Sequence, residues 1–231
     1  MLELSGVDSF YGNSRALQNV NFRVGDGEFM CVLGRNGVGK TTLMRTILGL
    51  MDRVTGSIRL GDKELVGKRT HQRAKAGIGY VPQGRGILPK FTVHENLRMG
   101  TFARGQANGE LDERVFKLFP ILKEHINRRG GNLSGGQQQQ LAIARALLTD
   151  PKVILLDEPT EGIQPNIVEE IENVLVQLNE KDGMTIVLVE QSVAFARRAS
   201  HRFAMMDRGT IAVDGSIDQL SDDLVHRYMT V

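Results

Sequence analysis

The 231-residue chain has no tryptophan and one cysteine, and no apolar run approaches the roughly 18 residues that a membrane-spanning helix needs. The lone cysteine excludes an internal disulfide framework, and the apolar neighbours of Cys31 predict a buried strand residue rather than a reactive thiol. Because 29 basic residues are balanced by 27 acidic ones, the net charge does not indicate a nucleic-acid partner. Residues 1–6 lack the basic and apolar segments of a signal peptide. If such a chain acts at a membrane, we expect it to dock onto another protein.

Strand and helix signals alternate along the chain. Short β-like segments are predicted at residues 2–7, 20–24, 29–33, 57–60, 78–81, 153–156, 185–189, 203–206 and 210–213. Apolar residues at helical spacing predict helices at 40–50, at 112–122 with an interruption at Pro120, at 134–148 and after Pro165. This alternation is typical of an α/β fold with a mostly parallel sheet. We predict one domain, 1–231, whose core (1–85 and 150–231) is interrupted by a helical insertion at 86–149.

A phosphate-binding loop follows the strand at 29–33. Residues 34–41 read GRNGVGKT and match the pattern G-x-x-x-x-G-K-[ST] in full, between an apolar strand and a helix. The glycines allow backbone N–H groups to point at phosphates, Lys40 can reach the β- and γ-phosphates, and the Thr41 hydroxyl can bind Mg²⁺. The alternative is a glycine-rich turn that caps an ordinary helix. We predict that ATP with Mg²⁺ is bound by Gly34, Arg35, Asn36, Gly37, Val38, Gly39, Lys40, Thr41 and Thr42.

Two acids at the end of the strand at 153–156 are candidates for the metal and for catalysis. Asp157 is predicted to hold Mg²⁺ through its water shell, and Glu158 to polarise the attacking water as a general base. The alternative is a solvated strand end that carries two surface acids. The neighbouring phosphate loop favours the functional interpretation.

A third motif, LSGGQ at residues 133–137, precedes a helix. Ser134 and Gln137 fit a capping box, but a cap alone does not account for the consecutive glycines Gly135 and Gly136. With the motifs above, this segment resembles the signature of the ATP-binding cassette family, and the resemblance covers essentially the whole chain. It implies a cassette fold with an N-terminal antiparallel β subdomain, and a head-to-tail pair of subunits. In that pair Ser134, Gly135, Gly136 and Gln137 would contact the nucleotide of the partner subunit.

The same resemblance implies roles for two further residues and reveals two departures. Tyr11 corresponds to an aromatic residue that stacks on adenine, and Gln83 to a glutamine that contacts the metal. Residues 161–164 read EGIQ where most cassettes carry Ser-Ala-Leu-Asp, and Gln191 replaces the usual catalytic histidine. Glutamine can hydrogen-bond a γ-phosphate but cannot become a cation, so we expect slower hydrolysis at this site. His201 is expected to be a surface residue and not a substitute.

Family resemblance also indicates the role of the chain. The departures are similar to those of one ATPase of importers for branched-chain amino acids and amides, and several segments resemble the second ATPase of urea importers. We therefore expect an ATPase on the cytoplasmic face of the cell membrane that powers solute import, with urea as solute and a branched-chain amino acid or short-chain amide as the alternative. A cassette protein of translation or DNA repair and a phosphotransferase are the remaining alternatives.

The implied partners are membrane permease subunits, a second, non-identical ATPase (or a homodimer in isolation) and, indirectly, an extracytoplasmic solute-binding protein. The permease is expected to dock on residues 84–104. The apolar candidates there are Ile87, Leu88, Phe91, Val93 and Leu97. The alternative is that these side chains pack inside the helical insertion.

Overall fold

Two β-sheets organise the computed structural model, which describes residues 1–104 and 111–230. The first sheet is antiparallel, with strand order β2-β1-β4-β5, and the second has the order β10-β9-β3-β8-β7-β6. In the second sheet, β3, β6, β7, β8 and β9 pair in parallel, and β10 closes the edge as an antiparallel hairpin with β9. The strands are β1 (Leu2–Tyr11), β2 (Ser14–Val24), β3 (Phe29–Leu33), β4 (Arg53–Leu60), β5 (Lys63–Glu64), β6 (Ile78–Val81), β7 (Val153–Asp157), β8 (Thr185–Glu190), β9 (Arg202–Asp207) and β10 (Thr210–Ser216).

Helices flank the second sheet. They are α1 (Lys40–Leu48), α2 (Thr70–Ala76), α3 (Val93–Thr101), α4 (Arg114–Leu118), α5 (Pro120–Glu124), α6 (Gly135–Leu147), α7 (Pro165–Asp182), α8 (Val193–Ala199) and α9 (Asp222–Met229). The predicted helix at 112–122 is two helices, because Pro120 begins a new helix as its first residue. All of α3 to α6 lie within the segment 86–149.

The buried strands β3, β7 and β8 divide the core into two clusters. Alternate side chains of β3 face opposite sides: Phe29, Cys31 and Leu33 pack with the helices α3 to α8, and Met30 and Val32 pack with α1 and the antiparallel sheet. Burial on both faces explains why these strands are continuous apolar runs. Cys31 is fully buried as predicted, and burial raises the pKa of its thiol well above the usual value. The predicted α/β fold with an antiparallel N-terminal sheet is confirmed.

Candidate functional site

The loop between β3 and α1 has the backbone that the glycine pattern predicts. A Cβ atom at Gly34 would lie 2.8 Å from the Met206 carbonyl oxygen, so only glycine fits against β9 there. Gly39 has φ 114° and immediately precedes α1, where no side chain caps the helix. The first N–H groups of α1 are therefore left for a ligand, as an anion at a helix N-terminus requires.

Lys40, the first residue of α1, is buried and already has partners. Its Nζ donates to the carbonyl oxygens of Gly34 at 2.8 Å and Arg35 at 3.0 Å. The same ammonium lies 3.1 Å from Glu158 Oε1, with 4% and 7% of the two side chains exposed. The phosphate loop and the acid that follows β7 thus meet through one short ion pair.

Asp157 lies at the end of β7, beside the first turn of α1. Its carboxylate accepts hydrogen bonds from Thr41 Oγ1 at 3.2 Å and from the Tyr80 hydroxyl at 3.4 Å. Burial raises the pKa of Asp157 above its usual range, a shift that the Thr41 hydrogen bond opposes and the Glu158 charge increases. No sequence motif pointed to Tyr80. Because it lies near the end of β6, which pairs with β7, it reaches the same edge of the sheet as Asp157.

The residues around Asp157 fit Mg²⁺. A hydroxyl and a carboxylate lie together, which are oxygen ligands of the kind this ion prefers. Within residues 1–104 and 111–230, no three His, Cys, Asp or Glu side chains are grouped closely enough to hold a metal by themselves. Mg²⁺ is usually held by only one or two protein ligands, with phosphate oxygens and water completing its shell.

Glu158 is contacted by both predicted glutamines. Gln191 Nε2 donates to Glu158 Oε1 at 3.1 Å, and Gln83 Nε2 donates to Glu158 Oε2 at 3.3 Å and to Glu161 Oε2 at 2.8 Å. A cavity of about 300 Å³ opens beside this group. Its lining residues are Asn36, Gly37, Gly39, Lys40, Thr41, Thr42, Gln83 and Glu158. The structure therefore brings most of the predicted phosphate-loop residues together with the predicted base.

Glu190 is a buried acid at this site to which sequence reasoning gave no role. It is 4% exposed and ends β8, one residue before Gln191. Its carboxylate accepts hydrogen bonds from the Thr160 hydroxyl at 2.6 Å and from the Gln191 N–H at 3.0 Å. The available signal was an acid that ends an apolar strand, the pattern that singled out Asp157.

Tyr11 and Arg35, two predicted nucleotide-binding residues, are not among the described residues that line this cavity. Tyr11, at the end of β1, is 41% exposed, and its ring centroid lies 5.6 Å from the Arg45 guanidinium carbon. The Arg35 side chain donates at 3.3 Å to the carbonyl oxygens of Arg227 and Tyr228, near the end of α9. Adenine stacking on Tyr11 stays a prediction.

Ser134 caps α6, as the local pattern predicts. The Ser134 N–H donates to Gln137 Oε1 at 3.0 Å, and the Gln137 N–H donates to Ser134 Oγ at 3.3 Å. A Cβ at Gly136 would lie 2.5 Å from Ile167 Cγ2, and one at Gly135 would lie 2.8 Å from Arg85 Nη2. Close packing against Ile167 therefore requires glycine at position 136, a requirement that the capping pattern does not reveal. None of the four signature residues is among the described residues that line the 300 Å³ cavity.

The predicted docking segment is only partly exposed, and for two of its five apolar candidates the alternative of internal packing is correct. Val93 and Leu97 are fully buried because they form the inward face of α3. Ile87 and Leu88 are half-buried, whereas Phe91 is 43% exposed. The same segment exposes Met99 and Phe102, which the prediction did not name.

His201 lies far from the catalytic end of the sheet. It is exposed, and its Nδ1 accepts a hydrogen bond from the N–H of Phe29, at the start of β3. The phosphate loop follows the opposite end of that strand. The prediction that His201 is a surface residue is confirmed.

Comparison with known proteins gives consistent matches. The profile of a family described as "ABC transporter" matches residues 17–161. The chain is 39% identical to the high-affinity branched-chain amino acid transport ATP-binding protein BraG of Pseudomonas aeruginosa, over 92% of this chain and 91% of that protein. It is 36% identical to the glutamate transport ATP-binding protein GluA of Corynebacterium efficiens, over 93% and 90% of the two chains.

A solved structure has the same fold. The dimeric post-hydrolysis structure of the ATP-binding cassette MJ0796, bound to ADP and Pi, superposes with a TM-score of 0.82 at 29% identity, covering 94% of this chain and 99% of that one. In the described residues, no helix is both long enough and apolar enough to cross a membrane.

Proposed function

The chain belongs to the ABC transporter family, and on that premise we propose that it is the ATPase of a urea importer. Its general role follows from the family: the chain is an ATPase that uses ATP with Mg²⁺, acts with permease subunits, and associates peripherally with the inner membrane. The observation that carries the ATPase role is the 3.1 Å pair between Lys40 and Glu158 at the edge of the phosphate cavity, whereas urea as the solute rests on the resemblance described below. Phosphate binding and water activation require these two groups to share one site.

Each side chain at the site has a proposed task. The phosphate-loop N–H groups and Lys40 bind the β- and γ-phosphates, because positive charge and free donors converge there. Thr41, Asp157 and Gln83 would hold Mg²⁺, and the bound ion would neutralise phosphate charge. Glu158 accepts a proton from the attacking water. Gln191, within reach of Glu158, positions that water and the γ-phosphate through its amide.

A second subunit completes the site in this proposal. The signature residues Ser134 to Gln137 are absent from the described lining of their own chain's cavity, which supports contact with the nucleotide of a partner. The similar cassette MJ0796 forms a dimer in its solved structure. We expect a non-identical ATPase as the partner in the transporter, and a homodimer when this chain is isolated.

Permease docking is assigned to the exposed apolar side chains of the segment 84–104. Phe91, Met99 and Phe102 are each more than two-fifths exposed, and exposed apolar clusters mark protein contacts. In this proposal the chain lies on the cytoplasmic face of the membrane and acts on the solute-binding protein only through the permease.

Two solutes are supported by different observations. Urea is supported by the resemblance of residues 128–131, 160–166 and 195–198 to urea-importer ATPases. Branched-chain amino acids are the second candidate, because a similar curated relative is named for their transport. An uptake assay in cells that carry Glu158→Gln should separate them: loss of labelled urea uptake with leucine uptake intact supports urea, and the reverse pattern supports the second candidate.

The ATPase role is tested with the purified chain. Lys40→Ala should abolish tight ATP binding and hydrolysis, because it removes the cation that faces the phosphates. Lys152→Ala, which replaces an exposed lysine at the amino end of β7, is the matched control. ATP affinity that survives in the Lys40 variant would contradict the assignment, and stable association with ribosomes or nucleic acid would favour a non-transport cassette.

A further inference from the structure

A second buried carboxylate stands behind the proposed base. Glu190 Oε1 accepts hydrogen bonds from the Thr160 hydroxyl at 2.6 Å and the Thr160 N–H at 3.3 Å, and Glu190 Oε2 accepts one from the Gln191 N–H at 3.0 Å. One side chain thus holds two loops, the loop that follows Glu158 and the loop that carries Gln191. The roles assigned above leave Glu190 unused.

Burial of the Glu190 carboxylate costs free energy, and a need to fill space does not explain why a charged residue stands there. An ionised carboxylate at 4% exposure loses most of its hydration, and the donors that contact it here are all uncharged. A hydroxyl-to-carboxylate distance of 2.6 Å falls in the range of strong, charge-assisted hydrogen bonds. A neutral side chain of the same size would fill the space, so the charge itself points to a role in fixing Thr160 and Gln191.

The backbone of Glu158 requires such a restraint. Its φ of 46° lies in the left-handed region, which is unfavourable for a residue with a side chain and persists where surrounding contacts enforce it. The Glu158 N–H donates to the Val189 carbonyl oxygen at 2.9 Å, and Glu190 holds Thr160 two residues later. Consecutive residues of β8 therefore fix the strained residue on both sides.

These contacts close a ring around the site. Glu158 is joined through the chain to Thr160, Thr160 is bonded to Glu190, Glu190 is bonded to the Gln191 N–H, and the Gln191 amide returns to Glu158 Oε1 at 3.1 Å. We propose that Glu190 is a positioning residue that sets the Glu158 and Gln191 side chains relative to each other for attack on the γ-phosphate. This inference rests on the proposed role of Glu158 as base.

The test compares steady-state hydrolysis by the full chain carrying Glu190→Gln, Thr160→Val or the control Thr160→Ser. The amide keeps the size of Glu190 but cannot accept all of its hydrogen bonds, and valine keeps the shape of threonine without its hydroxyl. Both variants should lower kcat by about 10- to 100-fold, the scale expected when a catalytic group is misplaced by about 1 Å. The KM for ATP should stay unchanged, because the phosphate loop is intact. Serine retains the hydroxyl and should retain kcat.

The kcat of the double variant, compared with those of the two single variants, distinguishes a positioning role of Glu190 from a structural one. Combined with Thr160→Val, Glu190→Gln should cost little more than either single change, because both interrupt the same chain of hydrogen bonds from Thr160 through Glu190 to Gln191. Full additivity, or a fall in kcat that only follows the folded fraction in thermal unfolding, would overturn the inference. If Glu158→Gln abolishes hydrolysis while Glu190→Gln retains wild-type kcat, only this inference fails. If Glu158→Gln hydrolyses ATP normally, the proposed base is wrong and this inference falls with it.

Discussion

Glu158→Gln should tighten ATP binding in addition to removing the proposed base. In the free chain the Glu158 carboxylate holds the Lys40 ammonium at 3.1 Å, so an incoming γ-phosphate must compete for that cation. At an effective dielectric constant of about 20, the gross attraction at this distance is about 5 kcal/mol. Desolvation of the two charges offsets most of it. A net gain of about 1.4 kcal/mol on removal of the competitor corresponds to about a tenfold lower Kd for ATP.

Calorimetric titration of ATP and ADP into the purified chain measures this effect. Repulsion between Glu158 and a γ-phosphate is possible only with ATP, so the gain should be larger for ATP than for ADP. Glu161→Gln is the matched control, since it removes a nearby negative charge that contacts Gln83 but not Lys40. Equal gains in the two variants would mean that general electrostatic potential, and not this ion pair, limits binding, which would refute the reasoning.

Three further outcomes are expected. Gln191→His should raise the ATPase rate of the dimer if the absent cation limits turnover, and an unchanged kcat would make this departure functionally silent. Asp157→Asn should abolish Mg²⁺-dependent hydrolysis yet stabilise the nucleotide-free chain at pH 7. Burial raises the pKa of Asp157, so its ionised form opposes folding above the usual Asp range. In denaturant unfolding, the gain in the free energy of unfolding should therefore vanish as the pH falls toward 4. Arg73→Met should lower the free energy of unfolding by about 3 kcal/mol, because the buried guanidinium donates to the Thr46 and Ile47 carbonyl oxygens at the end of α1, whereas the exposed control Lys75→Met should change little.

Local pattern was sufficient for the elements that carry the phosphate loop. Continuous apolar runs predicted β3, β7 and β8 to within one residue, and α1 ends at Leu48, two residues before its predicted end, where Gly49 takes the left-handed conformation. These features depend on neighbours in sequence. The same holds for the Ser134 cap, whose two hydrogen bonds span three residues.

Contacts between distant segments were not predictable in this way. For Val93 and Leu97 both a docking surface and internal packing stayed open, because composition does not tell which face of an apolar helix points inward, and only the packing of α3 settles it. The short helices α2, α8 and α9 were missed because seven or eight residues give too little periodicity to separate them from loops. Position 136 must be glycine because Ile167 of another helix packs against it, and a role for Glu190 is visible only from its hydrogen bond with Thr160.

In the free site Lys40 and Glu158 neutralise each other, and this determines how ATP must enter it. Lys40 is paired with Glu158, and Glu158 also accepts hydrogen bonds from Gln191 and Gln83. A carboxylate that already accepts from three donors in this way is a poor base for water. When the γ-phosphate takes Lys40, Glu158 loses its cation, so it becomes available to accept a proton at the step where a phosphate is present to be attacked. The ion pair therefore links activation of the base to occupancy of the phosphate loop, with Glu190 holding the loop of the base in place while its partner is exchanged.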